Sequence, residues 1–325
     1  MRRIFIHEYL TGGGDIADES EAAELLPLGR AMRDALLGDL LRVLDLQVTC
    51  AVSARAGLPF THERLQAAAP AAGEDATAFV RRQSALHDLA WIVAPESDGV
   101  LAAMHAVVDA PRWVGCTAAA IHTASSKRAT LAALAACGVA TPLDFTAEAD
   151  AKALQWIVKP DDGAGAVATQ LHATRAAAEA NQAQRAARGQ DATIEPFVPG
   201  EALSISLLAG PGFVQPLAFN EQQVAIDASG RLHFHGVRPN AIDRARDPRA
   251  VRLHTLALDV MRALPGLRGF VGVDLVWHAT RGPVAIEVNP RVTCAYVGLS
   301  AALGRNLADE VLMLHTLPEH ADATA

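Results

Sequence analysis

An α/β N-terminal part followed by an α+β remainder is the fold class this sequence predicts, and two patterns predict it. Up to about residue 115, short apolar runs alternate with helix-period segments, as in parallel sheets with crossover helices. Later, strand-like runs follow one another with turns between them and few helices, as in antiparallel sheets.

Residues 3–10 read as a buried strand, closed by the turn-forming Gly12, Gly13 and Gly14. Leu25, Leu28, Met32, Leu36, Leu40 and Leu44 recur at helical spacing and predict a helix over 20–43. Residues 47–53 and 88–94 read as further strands. A new unit is expected from about residue 116. There Thr123, Ser125 and Ser126 offer N-caps for a helix over 127–137, which Gly138 ends. Residues 155–159 read as a short strand running into a loop over 160–169, with an alanine-rich helix near 174–188. Strands are expected at 193–198, 203–208, 213–219 and 231–237, and helices at 248–264 and 303–314. The expected domains are 1–115, an N-terminal α/β domain; 116–190, a central subdomain; 191–317, a C-terminal subdomain; and 318–325, a tail.

Composition narrows the function classes. The 325 residues, 51% hydrophobic and 20% charged, suit a globular chain of two or three domains. A net charge of -8 without a basic run argues against nucleic acid. No run approaches the roughly 20 apolar residues of a membrane span. The apolar residues after Met1, Arg2 and Arg3 stop at His7 and Glu8, too early for a secretory signal. Cys50, Cys116, Cys137 and Cys294 are far apart, which reads as reduced thiols in a cytoplasmic protein. Small-molecule partners are expected, and a homodimer is left open.

The most informative chemistry lies near the C-terminus. Segments 269–278 and 283–291 alternate with period two and read as one β-hairpin. Val271, Val273, Leu275 and Trp277 share one face of the first strand; Val284, Ile286 and Val288 share one face of the second. Asp274, Glu287 and Asn289 take the opposite face. A turn about Thr280 and Arg281 sets Asp274 across from Glu287, with Cβ atoms roughly 5 Å apart. Facing carboxylates repel unless a cation lies between them, and two carboxylates with an amide oxygen suit Mg²⁺. The alternative is a solvated sheet face.

Lysine is rare here: Lys127, Lys152 and Lys159 are the only three, so 25 of the 28 basic residues are arginine. Lys159 ends the apolar strand Trp156-Ile157-Val158 just before a loop containing Gly163 and Gly165, where backbone amides could cradle phosphate. Lys127 opens a helix, where the macrodipole disfavours a cation and a bound polyphosphate would offset the cost. Lys152 reads as a surface charge.

Taken in order, these segments resemble the ATP-grasp superfamily, over roughly residues 115 to 315. They are Ser126-Lys127; Trp156 to Pro160 with its loop; Ile194 to Gly200; and Val273-Asp274 with Glu287-Val288-Asn289-Pro290-Arg291. The resemblance implies a Rossmann-like pre-ATP-grasp domain before α+β ATP-grasp domains. It implies ATP and Mg²⁺ as cofactors, with Mn²⁺ as the substitute. By similarity, Lys127 and Lys159 would contact ATP phosphates, with Gly163 and Gly165 in the phosphate loop. Glu195 and the backbone of Phe197 and Val198 would meet the adenine edge. Asp274, Glu287 and Asn289 would hold metal, and Arg291 would lie by the transferred phosphoryl group. Many members carry a ribose-binding glutamate just before a Leu-Ser pair. Here Ala202 precedes Leu203-Ser204 and Glu201 lies one residue early, so either Glu201 takes that role with a shifted backbone or the ribose contact is absent.

Within the superfamily the sequence is similar to the tyramine–glutamate ligase type, associated with methanofuran-like cofactor biosynthesis. Glu8 with Thr11 to Gly14, the stretch from Phe219 to Gln222, and Asn289 to Leu299 carry that likeness. Asn220 and Gln222 themselves read as strand-end polar residues. The resemblance implies a carboxylate–amine ligase, joining glutamate to an aromatic amine through an acyl phosphate. Two other functions compete. Gly12-x-Gly14-x-x-Ala17 fits a dinucleotide-binding turn and suggests an NAD(P)-dependent oxidoreductase, although Ser53 and Arg55 stand near the expected acidic position. A non-catalytic ATP-binding regulator is the other.

Overall fold

Three β-sheets organise the protein in a computed structural model that describes residues 1–16, 19–146, 154–163 and 166–316. The first sheet is parallel. It contains β1 (Arg2–Glu8), β2 (Leu46–Ala51), β3 (Leu65–Ala68) and β4 (Leu89–Val93), in the order β3-β2-β1-β4. Strand β4 is buried along its whole length and β1 from Ile4 onward, hence the apolar runs Leu89–Val93 and Ile4-Phe5-Ile6, with His7 and Glu8 buried after the latter. Edge strand β3 reads Leu-Gln-Ala-Ala and has too weak a strand pattern to be anticipated. Helices α1 (Glu19–Leu40), α2 (Ala76–Ala85) and α3 (Val100–Ala106) pack around this sheet, and α4 (Ala118–Ala124) follows.

Helix α5 (Lys127–Ala136) is capped by the Ser126 hydroxyl, which accepts from the Ala129 amide. The second sheet holds β5 (Trp156–Pro160), β6 (Gln170–His172) and β7 (Ala192–Pro196), with α6 (Arg175–Ala186) against it. Its order is β6-β5-β7, all antiparallel. Because β7 pairs with β5, this sheet continues past residue 190, where the sequence suggested a boundary.

The third and largest sheet contains β8 (Glu201–Gly210), β9 (Phe213–Ile226), β10 (Leu232–Arg238), β11 (Gly269–His278) and β12 (Gly282–Asn289). It runs antiparallel in the order β10-β9-β8-β11-β12. Strand β9 extends beyond the expected 219 because its polar second half pairs with β10. Helix α7 (Ala250–Ala263) puts Leu253, Leu256 and Val260 under the large sheet.

The final helices return to the first domain. Leu299 of α8 (Leu299–Leu303) and Leu307 and Val311 of α9 (Leu307–His315) share a core with Leu36, Leu37 and Leu40 of α1. Burying such side chains contributes about 1.5–3 kcal/mol each. Tyr296 Oη donates to Asp39 Oδ2 at 2.5 Å, and Ser300 Oγ donates to the same oxygen. This core fixes the parallel sheet beside the large sheet and so shapes the cleft between them. Among the described residues, no helix is long and apolar enough to cross a membrane.

Candidate active-site cleft

A cleft of about 430 Å³ lies where the three sheets converge. Its acidic wall is the β11–β12 hairpin, whose register pairs Asp274 directly with Glu287. The hairpin also carries a β-bulge that its alternation concealed. Asp274 pairs with Glu287 but Leu275 pairs with Ala285, which leaves Ile286 as the extra residue. The expected common face of Val284, Ile286 and Val288 is therefore corrected. Val288 and Ala285 enter the main core, whereas Val284 and Ile286 join Val198 and Phe145. Ile286, Glu287 and Asn289 all line the cleft.

Burial, and then the Glu287 charge, push the Asp274 carboxyl up to about 7. Two amides oppose that rise: Gln222 Nε2 donates to Asp274 Oδ1 at 2.7 Å and Asn289 Nδ2 to Oδ2 at 3.2 Å. Gln222, read from sequence as a strand-end polar residue, thus sits on the acidic pair. Asn220 is not a strand-end residue either: it lies within β9, fully buried, and its amide donates to Ser204 and Ser206 across the sheet. Two crowded carboxylates beside an amide that can present oxygen after a flip form a donor set that fits a hard divalent cation.

Two lysines project into the same cleft, both nearly fully buried. Lys127 Nζ lies 3.3 Å from Glu287 Oε1 and donates to the Gly163 carbonyl at 3.0 Å. The helix-terminus cost expected for Lys127 is also offset by Asp161. Its carboxylate accepts from Ser126 Oγ at 2.7 Å and from the Arg128 amide at 3.0 Å. Gly163 has φ +132, a conformation that favours glycine, so the loop after β5 can turn back to meet Lys127. Gly165, Lys152 and Ala17 lie outside the described residues.

Lys159 Nζ pairs with Glu195 Oε1 at 2.6 Å, both buried. The Glu195 side chain is thus turned to the lysine, and its Oε2 has no hydrogen-bond partner among the described residues. The Phe197 amide donates to the Gln155 carbonyl at 2.8 Å, so it is committed within the protein. Val198 and Phe197 still line the cleft. Glu201 does not. Strand alternation turns Gly200, Ala202 and Ser204 toward the cleft, while Glu201 pairs with Arg249 outside it. The shifted ribose role for Glu201 is therefore corrected.

Arg291 enters from the loop after β12 and pairs with Glu96 Oε2 at 2.7 Å, both nearly buried. Sequence reasoning missed Glu96, which follows the Ala94-Pro95 end of the parallel sheet without a local motif. The glycines proposed for a dinucleotide turn close the β1 loop instead: the Gly12 and Gly14 amides donate to the Glu8 and Tyr9 carbonyls.

Similarity to known proteins places the chain in a family. Residues 124–295, more than half of the chain, match the family model of the ATP-grasp domain. The chain belongs to the ATP-grasp family. Residues 46–121 of this ATP-grasp protein match the pre ATP-grasp 3 domain. Tyramine–L-glutamate ligases from Methanocaldococcus jannaschii and Methanocaldococcus fervens are 28% identical over 214 residues, 65% of this chain. The match spans 58% and 61% of their respective lengths, about three-fifths of the curated relatives. Among solved structures, an Archaeoglobus fulgidus protein described within the ATP-grasp superfamily aligns with a TM-score of 0.69 and 23% identity, covering 96% of this chain and 88% of that one. The L-amino acid ligase of Bacillus licheniformis aligns at 0.65 and 15%, covering 98% and 76%. D-alanine–D-alanine ligase of Bacillus anthracis aligns at 0.64 and 14%, covering 97% of each chain. These structural likenesses concern the fold.

Proposed function

We propose that this protein is an ATP-dependent carboxylate–amine ligase that works through an acyl phosphate. A substrate carboxylate attacks the γ-phosphate, giving the acyl phosphate and ADP. An amine then displaces phosphate and forms the amide. The observation that carries this reading is the convergence on one cleft of Lys127, Lys159 and Arg291 with the Asp274, Glu287 and Asn289 face. Carboxylate and γ-phosphate are both anionic, so their approach requires cationic groups fixed in advance. Lys127 and Lys159 are assigned to the ATP phosphates and Arg291 to the transferred phosphoryl group. The carbonyl of Phe197 and the backbone of Val198 are assigned to the adenine edge, with Glu195 orienting Lys159. Asp274, Glu287 and Asn289 would hold Mg²⁺, or Mn²⁺ in its place, which supplies charge neutralisation at the phosphates.

The two ligases of Methanocaldococcus suggest glutamate as the acid and an aromatic amine such as tyramine as the acceptor. The test is a matrix of amino acids against amines, with spent nucleotide resolved by chromatography. ADP and phosphate are expected, and only when an acid and an amine are both present. AMP as the sole product would remove the acyl-phosphate route. Nucleotide binding without turnover by any pair would favour a regulator. If glutamate fails with every aromatic amine while another pair works, only the substrate assignment falls.

A further inference from the structure

The cleft does not end at the phosphate-facing groups. It continues onto the N-terminal domain, where Glu8 lies beneath Leu25, Leu28 and Met32 of α1, with Leu10 and Ile16 beside them. Glu8 is 5% exposed. Its oxygens accept from the Thr11 amide at 2.9 Å and the Leu10 amide at 3.4 Å. Among the described residues no basic side chain forms an ion pair with it; the nearby Arg33 pairs with Asp34 at 2.8 Å. A buried carboxylate with no cation in contact is costly to keep charged, and burial pushes this carboxyl up, against the Thr11 and Leu10 hydrogen bonds and the nearby Arg33 charge.

Helix α1 is built around that carboxylate. A Cβ on Gly29 would come within 2.5 Å of Glu8 Oε1. Glycine inside a helix costs about 1 kcal/mol relative to alanine. Here it is the one residue that admits the carboxylate against the helix. Leu25, Leu28 and Met32 follow at helical spacing on the cleft side, and Leu25 and Leu28 remain partly exposed there. One carboxylate inside an apolar wall is the complement of a cationic head on an apolar body.

The chamber is continuous with the reacting end. Thr293, Cys294 and Ala295 line it directly after Arg291, and the Cys294 thiol feels the charges of Arg291, Asp274 and Glu8 together. We infer that this chamber is the subsite of the acceptor amine, a primary amine on an apolar or aromatic body, with its ammonium held by Glu8. The inference rests on the ligase reading and adds where the amine binds and which residue selects it. Glutamate as occupant is disfavoured, because its second carboxylate would face the apolar wall and the Glu8 charge. In the reaction, the ammonium gives its first proton to Glu8. Its nitrogen then bonds the acyl carbon while the carbon–oxygen bond to phosphate breaks. The electron pair leaves with phosphate, which takes the second proton.

The experiment separates the two half-reactions in the full chain with Mg·ATP and glutamate. Hydroxylamine, small and neutral at working pH, traps the acyl phosphate as a hydroxamate without needing the chamber; tyramine needs it. For Glu8→Gln, kcat/KM for tyramine is expected to fall at least about 30-fold, through KM because the ammonium loses its partner and through kcat because its first proton loses its acceptor, while hydroxamate formation from neutral hydroxylamine falls by less than about 3-fold. Leu28→Ala, which leaves the carboxylate in place, should raise KM for tyramine several-fold and leave hydroxamate formation unchanged. Loss of hydroxamate formation in a folded Glu8→Gln protein would put Glu8 on the acid's side and overturn the inference. Unchanged tyramine kinetics in both variants would overturn it as well. If wild type forms no hydroxamate from any carboxylate, the ligase reading itself fails.

Discussion

Asp274→Asn tests the acidic pair most directly, because it keeps the shape of the side chain and removes one charge. The carboxyl moves from 3.8 to about 7 on folding. That rise of about 3 units corresponds to about 4 kcal/mol, which water at a partly exposed group reduces to about 2 kcal/mol. The sign follows from proton uptake. Between pH 3.8 and about 7 the unfolded chain has lost this proton while the native state keeps it. Stability therefore falls as pH rises through that window and flattens above it. D274N has no such titration. It has one acceptor oxygen where Asp274 offers two to Gln222 and Asn289, a mismatch costing about 1 kcal/mol. At pH 8 without metal, the variant should thus be about 1 kcal/mol more stable, about 2 °C in melting temperature. At pH 5 the advantage should disappear or reverse. Addition of Mg·ATP should stabilise wild type more than D274N, and turnover of the variant should fall at least about 100-fold. The assay is urea and thermal unfolding at both pH values, with and without Mg·ATP, alongside turnover. A variant less stable than wild type by the same margin at pH 5 and pH 8 would refute the repulsion argument. Full activity would remove the metal assignment.

Two further variants probe the cations. Lys159→Met alone leaves Glu195 buried without a partner, so a stability loss of about 3–5 kcal/mol is expected together with loss of ATP binding. The double variant Lys159→Met, Glu195→Gln should regain most of the stability but no turnover; an active double variant would show that Lys159 is only structural. Glu96→Gln should lower the melting temperature of the free protein by releasing Arg291, yet enlarge the stabilisation that Mg·ATP gives. A nucleotide-dependent shift equal to that of wild type, read by thermal unfolding, would place Arg291 outside the nucleotide site.

Legibility in the sequence followed the range of the interaction. Strands β1, β4 and β11 announce themselves because burial imposes unbroken or alternating apolar residues along the strand itself. Asp274 faces Glu287 as the expected hairpin had it, but the turn alone does not set this: it pairs His278 with Gly282, a register that would put Asp274 opposite Ile286, and the bulge supplies the one-residue shift. The bulge at Ile286 was not legible, since a single extra residue preserves composition and breaks only the pairing count. Glu201 misled for a related reason: a one-residue offset on a strand reverses the face, and only the paired structure tells which face is the cleft. Glu96 and Gly29 lay beyond reach altogether. Each matters through one contact to a residue distant in the chain, Arg291 for the first and Glu8 for the second.

The cleft's cations share a property that no single motif conveys: each is already neutralised. Lys127 faces Glu287, Lys159 faces Glu195, and Arg291 faces Glu96. Lys159 and Glu195 lie on adjacent strands and can move together, so that pair fixes an orientation. The other two pairs join separate elements: Lys127 on α5 to β12, and Arg291 after β12 to the end of the parallel sheet. An anion entering the cleft competes with Glu287 for Lys127 and with Glu96 for Arg291. A divalent cation bound by Asp274 and Glu287 would weaken the first of those competitors and leave Lys127 free for phosphate. Cation and nucleotide would then each raise the affinity of the other by the same factor, because both act on the one Lys127–Glu287 contact. The coupling needs no large movement. It requires only that Glu287 serve two partners in turn, and its place next to the bulge, paired with Asp274 and facing Lys127, provides for that.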